Sequence, residues 1–280
     1  VQDTKEATKN ENGASTEATV KSITLDKFGN QFPIGFDGEP RAFSFRAWRM
    51  KEEREIGALR DQNRNATMPE YVAMILGTMA TKWGKHDFEN MKLEERRVIL
   101  SQAWTADVFH AYARLRVEAL GPDLKMRITC ATCRNEFDFV GDLSTLDVRT
   151  VGKLADALWK YKLTTPIEVR GKKVETLKLG PQRWNVVETM QVSGQYDISG
   201  FKIGVILGSI HELEGVGSIP LGGNELDEMT KRDIEGLSTL IDDHRVGPDM
   251  SIKGECPKCK REFLRSLDWG YDDFFASSSR

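Results

Sequence analysis

The chain has 280 residues, 40 basic and 43 acidic, for a formal net charge of −3 with both signs interspersed. That length carries a real hydrophobic core in one large domain or two ordinary ones, and the even charge balance leaves no overall basic footprint for nucleic acid. No apolar run approaches the ~18 residues that a membrane span needs, and the opening lacks the basic-then-apolar pattern of a signal peptide.

Residues 1–22 hold almost nothing to bury and read as a disordered N-terminal arm. Ordered structure is expected from Ile23, with a hairpin-type turn at Gly29-Asn30 and another turn at Gly38-Glu39-Pro40. Phe43 and Phe45 alternate as one strand face, and Trp48 leads into a charged helix, MKEEREIGALRDQ, expected to bury Met50, Ile56 and Leu59. Thr67-Met68-Pro69-Glu70 is a capping box with an early proline. It opens a helix with Val72, Ile75, Leu76 and Met79 on one face, expected to end near Gly84. LEERRVILSQA and WTADVFHAYARLRVEAL follow as helices, the second aligning Trp104, Val108, Ala111 and Leu115. Gly121 is a natural helix C-terminal residue and Pro122 prevents continuation. Met126 and Ile128 then mark a strand, and Phe137 and Phe139 a second one.

The second half replays this order. Ile167 to Val174, with Leu177 and Leu179, reads as a hairpin, and Trp184 starts a helix as Trp48 does. Phe201, Val205, Ile206, Leu207 and Ile210 form an apolar helix expected to be interrupted by Gly204 and Gly208. After the loop GVGSIPLGGNE, Thr230 caps a helix carrying Ile234, Leu237, Leu240 and Ile241. The expected fold class is therefore α+β: a tandem-duplicated, two-lobed, helix-rich chain with short β hairpins. The first lobe spans 23–150 and the second 151–280, with LADALWKYKL as a connecting helix between them.

The strongest repeat ends each lobe. Gly121-Pro122-Asp123 precedes Cys130-Ala131-Thr132-Cys133 and Glu136-Phe137, and Gly247-Pro248-Asp249 precedes Cys256-Pro257-Lys258-Cys259 and Glu262-Phe263. The offset is 126 residues without a gap, and seven of the 17 aligned positions are identical. These are also the only four cysteines in the chain. A C-x-x-C turn points two thiolates at one ion, and a structural zinc needs four such ligands in a tetrahedron. Neither pair has a histidine close by in sequence, so the economical reading is one zinc per chain shared by Cys130, Cys133, Cys256 and Cys259, a zinc-ribbon-like site joining the lobes. Iron is the alternative thiolate-bound ion, and free thiols or a redox pair are the reading without metal. Pairs from two subunits meeting around one ion also satisfy the spacing.

No catalytic constellation emerges. His86, His110, His211 and His244 are scattered, Gly222-Gly223-Asn224 lacks the lysine and hydroxyl of a phosphate loop, and Glu52-Glu53 and Glu94-Glu95 read as solvated helix faces. No enzyme is expected. Arg134, Lys258, Lys260 and Arg261 around the knuckles read as a solvated basic rim, and Phe137 and Phe263 as packing beneath the metal. The competing reading of that rim is a zinc-ribbon nucleic-acid-binding or transcription-associated adaptor.

The closing segment ECPKCKREFLRSLDWGYDDFF, following a helix and Gly-Pro-Asp, resembles the C-terminal signature of tail and baseplate assembly proteins of contractile-tailed phages, the T4-type baseplate (hub) protein family. There a C-x-x-C pair is followed by alternating apolar residues ending on two phenylalanines, here Phe274-Phe275. The segment from Arg114-Leu115-Arg116 through Cys130 and Cys133 to Leu146-Asp147-Val148 is similar to the same family. The resemblance covers roughly 43–148 and 230–275. It implies a non-enzymatic structural or assembly component of a multi-subunit tail baseplate, contacting other baseplate or tail proteins, the tape-measure protein among them. It implies a place in the virion tail, with assembly in the host cytoplasm, and neither membrane nor nucleic acid as partner. Family members differ in carrying the cysteines, so the zinc expectation rests on the spacing in this chain.

Overall fold

The computed structural model describes residues 23–26, 29–36, 39–192, 198–218 and 227–267. The arm at 1–22, Gly222-Gly223-Asn224 and Phe274-Phe275 lie outside them. Among the described residues the chain is mixed α+β, with seven helices and five small antiparallel sheets. No helix there is long and apolar enough to cross a membrane.

Strand β1 (Ile23–Asp26) opens the chain, β2 is Phe43–Phe45, and helices α1 (Met50–Gln62) and α2 (Met68–Met79) follow. The Thr67 box forms: the Glu70 carboxylate accepts from the Thr67 N–H at 2.6 Å and from its hydroxyl at 3.0 Å. Strands β3 (Ala80–Trp83) and β4 (His86–Asp87), helix α3 (Leu93–Gln102) and helix α4 (Thr105–Leu120) complete the first run. Hairpin β5–β6 (Asp123–Thr129, Glu136–Asp142) carries the first knuckle, and β7 (Val148–Val151) leaves it. Next come β8 (Trp159–Val169), β9 (Lys172–Leu179), α5 (Trp184–Val192), α6 (Ile198–Ser209), β10 (Ile210–Leu213) and α7 (Lys231–Asp243). The short strand β11 (Gly247–Pro248) and hairpin β12–β13 (Ser251–Glu255, Glu262–Ser266) close the described chain.

Several expectations are corrected. Gly29-Asn30 is not a hairpin turn, because β1 pairs with β7, over a hundred residues away. Asn30 is instead tied to α4, donating to Glu118 at 3.0 Å and accepting from Arg114 at 2.7 Å. The local ladder instead joins Phe32 to Arg41, the Phe32 N–H donating to the Arg41 carbonyl at 2.9 Å, and Gly38 of the second expected turn lies outside the described residues. Helix α2 stops at Met79 rather than near Gly84, since residues 80–83 pair with β2. LADALWKYKL is no helix: a single 3-10 turn at Leu154–Ala157 gives way to β8. Helix α6 runs unbroken through Gly204 and Gly208, and Ile210 belongs to β10. Met50 is 68% exposed, while Glu52 is buried, its carboxylate accepting from the Arg49 N–H at 3.2 Å.

Two large apolar clusters and a smaller third one hold the chain. The first gathers Phe43, Val72, Leu76, Trp83, Phe88 and Tyr112 with their neighbours, and takes in Trp184 from the start of α5. The second lies between the β8–β9–β10 sheet and helices α6 and α7, around Leu177, Leu179, Ile206, Leu213 and Leu237. The third joins Ile34, Trp104, Val151, Ala157 and Val246. Strand β7 is central to the three-stranded sheet β1–β7–β11 and runs across residues 150 and 151.

That sheet brings the knuckles together. Emerging from the first hairpin, β7 pairs Val148 with Pro248 and Arg149 with Gly247, and the Asp249 N–H donates to the Asp147 carbonyl at 2.7 Å. The chain then turns directly into the second hairpin. Gly247 adopts φ +109°, and a Cβ there would stand 2.9 Å from that of Ala106, so the Gly-Pro-Asp turn needs glycine for both backbone and space.

Candidate metal centre

The two knuckle hairpins repeat in register as well as in sequence. In β5–β6 Thr129 faces Glu136 and Met126 faces Phe139; shifted by 126 residues, Glu255 faces Glu262 and Ile252 faces Arg265. The turns match too. The Cys130 N–H donates to the Asn135 carbonyl and the Arg134 N–H to the Cys130 carbonyl, each at 2.9 Å. Their counterparts run from Cys256 to Arg261 and from Lys260 to Cys256, again at 2.9 Å. Arg134 and Lys260 both take left-handed backbone, φ 57° and 61°, a conformation that L residues hold only when the surrounding turn fixes it.

The hairpins meet face to face over a phenylalanine floor. Phe137 and Phe263 have ring centroids 5.9 Å apart, and Phe139 meets Phe263 edge-on at 5.2 Å. Phe137 and Phe263, at matched positions of the two knuckles, thus meet each other across the hairpins. Glycine at 254, where the first hairpin has Ile128, lets the faces close: a Cβ there would lie 2.5 Å from Phe263 and 2.7 Å from Phe139. Gly254→Ala is therefore expected to destabilise the chain by about 1–3 kcal/mol through overpacking. Thermal unfolding of the metal-loaded protein reads the effect, and an unchanged midpoint would mean the faces do not need this close approach.

Above the floor, the sulfurs of Cys130, Cys133, Cys256 and Cys259 all lie within 4.8 Å of one another, the one His/Cys/Asp/Glu group of metal-holding geometry among the described residues. Cys130 and Cys259 stand 3.7 Å apart, as do Cys133 and Cys256. An ion held tetrahedrally at about 2.3 Å from each sulfur sets neighbouring sulfurs about 3.8 Å apart. Cys256 is fully buried and Cys130 nearly so, Cys133 is half-buried and Cys259 exposed, and none is in a disulfide. All four come from one chain.

The turns prepare thiolates. Backbone N–H groups of Cys133 and Thr132 pull the Cys130 thiol down to about 6, and those of Cys259 and Lys258 lower Cys256. At Cys259 the Arg261 N–H also favours the thiolate. Desolvation and the other three thiols outweigh it and push Cys259 up to about 11. Four sulfurs this close cannot all ionise unless a cation neutralises them, and that is what a bound divalent ion supplies. The rim is charged and solvated: Arg134, Lys258, Lys260 and Arg261 are exposed, with Arg127 paired to Glu136 at 3.4 Å and Lys260 to Glu255 at 3.3 Å.

The histidines are spread through the fold. His110 Nε2 lies 2.7 Å from the Gly29 carbonyl and His211 Nε2 2.8 Å from that of Pro181, while His244 bonds back to Leu240 on its own helix. What the sequence reading missed is a pair of buried aspartates. Asp107 and Asp233 are 126 residues apart and each is the third residue of its helix. Asp107 accepts from the Ile34 and Gly35 N–H groups at 2.8 and 2.9 Å. Asp233 accepts from the Thr164 N–H at 2.8 Å and from the hydroxyls of Thr164 and Thr230. Extending the 126-residue frame upstream of Gly-Pro-Asp would have found both. No protein family, curated protein or solved structure matches the chain.

Proposed function

We propose that the four cysteines hold one structural zinc ion, and that the protein is a non-enzymatic structural or assembly component of a contractile phage tail baseplate whose two halves arose by tandem duplication. The observation that carries the metal reading is the closed set of four sulfurs contributed by hairpins 126 residues apart. With every tetrahedral position taken by sulfur, no position remains for a water or substrate, which is the pattern of structural zinc. Thiolates also favour zinc over hard ions such as magnesium or calcium.

The duplication has topological support. In each half a strand is followed by two helices and then by a strand that returns to pair with it, β3 with β2 after α1 and α2, and β10 with β9 after α5 and α6; β9 pairs with β8 as well, whereas β1 pairs with β7. Each half then has a helix starting at matched residues, Thr105 and Lys231, before Gly-Pro-Asp and the knuckle. The stretch of the second half matched to α3, 219–228, lies almost wholly outside the described residues. The baseplate reading rests on the resemblance of the residues around the two knuckles, and fits a chain in which the one group of metal-holding geometry among the described residues is a clamp.

Elemental analysis is expected to give one zinc per chain, and the protein is expected to co-purify with tail particles, encoded beside tape-measure and tail-tube genes. Two zincs per chain, or none with every thiol free, would sink the shared clamp. A shift of DNA or RNA that weakens steeply with salt, without association with tail particles, would replace the baseplate reading with the adaptor.

A further inference from the structure

We infer that the cysteine cluster is also a modification site, which a peroxide converts into two disulfides joining the hairpins crosswise, Cys130 to Cys259 and Cys133 to Cys256. The release of zinc in this step rests on the metal reading above, whereas the pairing rests on the sulfur geometry alone. Each crosswise pair stands at 3.7 Å. Each also combines a reachable sulfur with a shielded one. In the first, Cys259 is exposed and Cys130 only 9% so; in the second, Cys133 is half-buried and Cys256 fully buried. The exposed turn of the second knuckle, Pro257 to Lys260, leaves Cys259 open to a small oxidant.

The chemistry balances with peroxide as the oxidant. The reachable sulfur attacks one peroxide oxygen, the O–O bond breaks, and a sulfenic acid forms as hydroxide leaves and takes up the thiol proton to become water. The shielded sulfur of the pair then attacks that sulfur, the S–S bond forms, and the sulfenic oxygen leaves as hydroxide and takes up a proton to become a second water. Two thiols are oxidised by two electrons and one peroxide is reduced, so the cluster consumes two peroxides. A disulfide needs its sulfurs about 2.0 Å apart, so each pair must close by about 1.7 Å from its 3.7 Å separation. The ion loses its ligands and is released, but the hairpins stay joined. Oxidation thus exchanges one clamp for another, where a disulfide closed inside each knuckle would let the hairpins part.

The test treats the reduced, metal-loaded full chain with two equivalents of hydrogen peroxide, reads released zinc with a chromogenic chelator, and maps disulfides without reduction. Trypsin leaves Cys130 and Cys133 together on Ile128–Arg134 and separates Cys256 from Cys259 by cutting after Lys258. Fragmentation between Cys130 and Cys133 then assigns each partner. The expected result is loss of all four thiols, a mass lower by about four hydrogens, release of one zinc per chain, and the two crosswise links. Links from Cys130 to Cys133 and from Cys256 to Cys259 would overturn the inference, as would sulfinic acid at Cys259 with Cys130 still reduced. The same map on the reduced, metal-free chain is expected to give the same links. A chain that purifies without zinc yet pairs crosswise would therefore sink the metal reading alone.

Discussion

Cys256→Ser is expected to abolish zinc binding and to lower stability by about 4–5 kcal/mol, the scale of a crosslink closing a loop of about 100 residues. A serine hydroxyl stays protonated at neutral pH and does not replace a thiolate, so the remaining three sulfurs form an open and weaker set. The zinc contribution itself is larger still in small peptides, about 10–16 kcal/mol, but there the metal makes the whole fold. Here two apolar clusters persist without it, so the loss should be local. The second hairpin is also held by the two-residue pairing of β11 with β7, the Asp249–Asp147 hydrogen bond, the phenylalanine contacts, and Ile252 and Leu267 buried in the first apolar cluster.

Hydrogen exchange distinguishes a local clamp from a global one. In Cys256→Ser, or in wild type stripped by a chelator, amides of β12 and β13 should lose protection while those around Leu76 and Leu177 keep it. Unchanged protection of residues 251–266 after zinc is lost would mean that the ion is not what holds the hairpins together. Because the ligands must be deprotonated, mild acid should release the metal and reproduce the same local opening.

The cluster was legible in the sequence because thiolate chemistry fixes both residue type and spacing, and because the two copies share one frame. Helices α4 and α7 were legible for a related reason: their apolar periodicity ends at a glycine-proline stop that the chain repeats. Elements whose partners lie far along the chain were not. Strand β1 is set by β7, and the end of α2 by pairing of Ala80–Trp83 with β2, neither of which leaves a local mark. At Trp159-Lys160-Tyr161-Lys162-Leu163 the mark was present and misread, since strict apolar–polar alternation is strand period. Gly208 misled in the opposite direction: a Cβ there would collide with Val186, so the glycine lets α5 approach α6 and does not break the helix.

Asp107 and Asp233 should give opposite pH dependences despite their matched positions. Burial pushes the Asp107 carboxyl up to about 7, against the pull of the Ile34 and Gly35 N–H groups and of Arg41 and Arg183. Its folded form therefore binds a proton that the unfolded chain has already released between pH 4 and 7. By linkage its contribution to stability declines as pH rises through that window, on the order of 4 kcal/mol in all. At Asp233 burial also opposes ionisation, but hydrogen bonds from Thr164, Thr230 and Tyr161 prevail and hold the carboxyl below its ordinary value. That contribution is present above the ordinary carboxylate range and lost as pH falls through the depressed value. His211 stacks on Trp104 at 6.0 Å, and Arg183 lies over the same Trp104 ring at 3.4 Å, so His211 is a further titrating group near the Asp107 junction. Burial lowers its pKa, and it stays in place in both variants. Denaturant unfolding of wild type, Asp107→Asn and Asp233→Asn from pH 2.5 to pH 8 separates the terms. Stability of wild type minus Asp107→Asn is expected to fall as pH rises from 4 to 7, because only the wild type must ionise a dry carboxyl. The corresponding difference for Asp233→Asn is expected to shrink toward the acid end. Parallel curves for the two differences would mean that the duplicated aspartates act alike, and that the hydrogen-bond sets around them do not decide their charge.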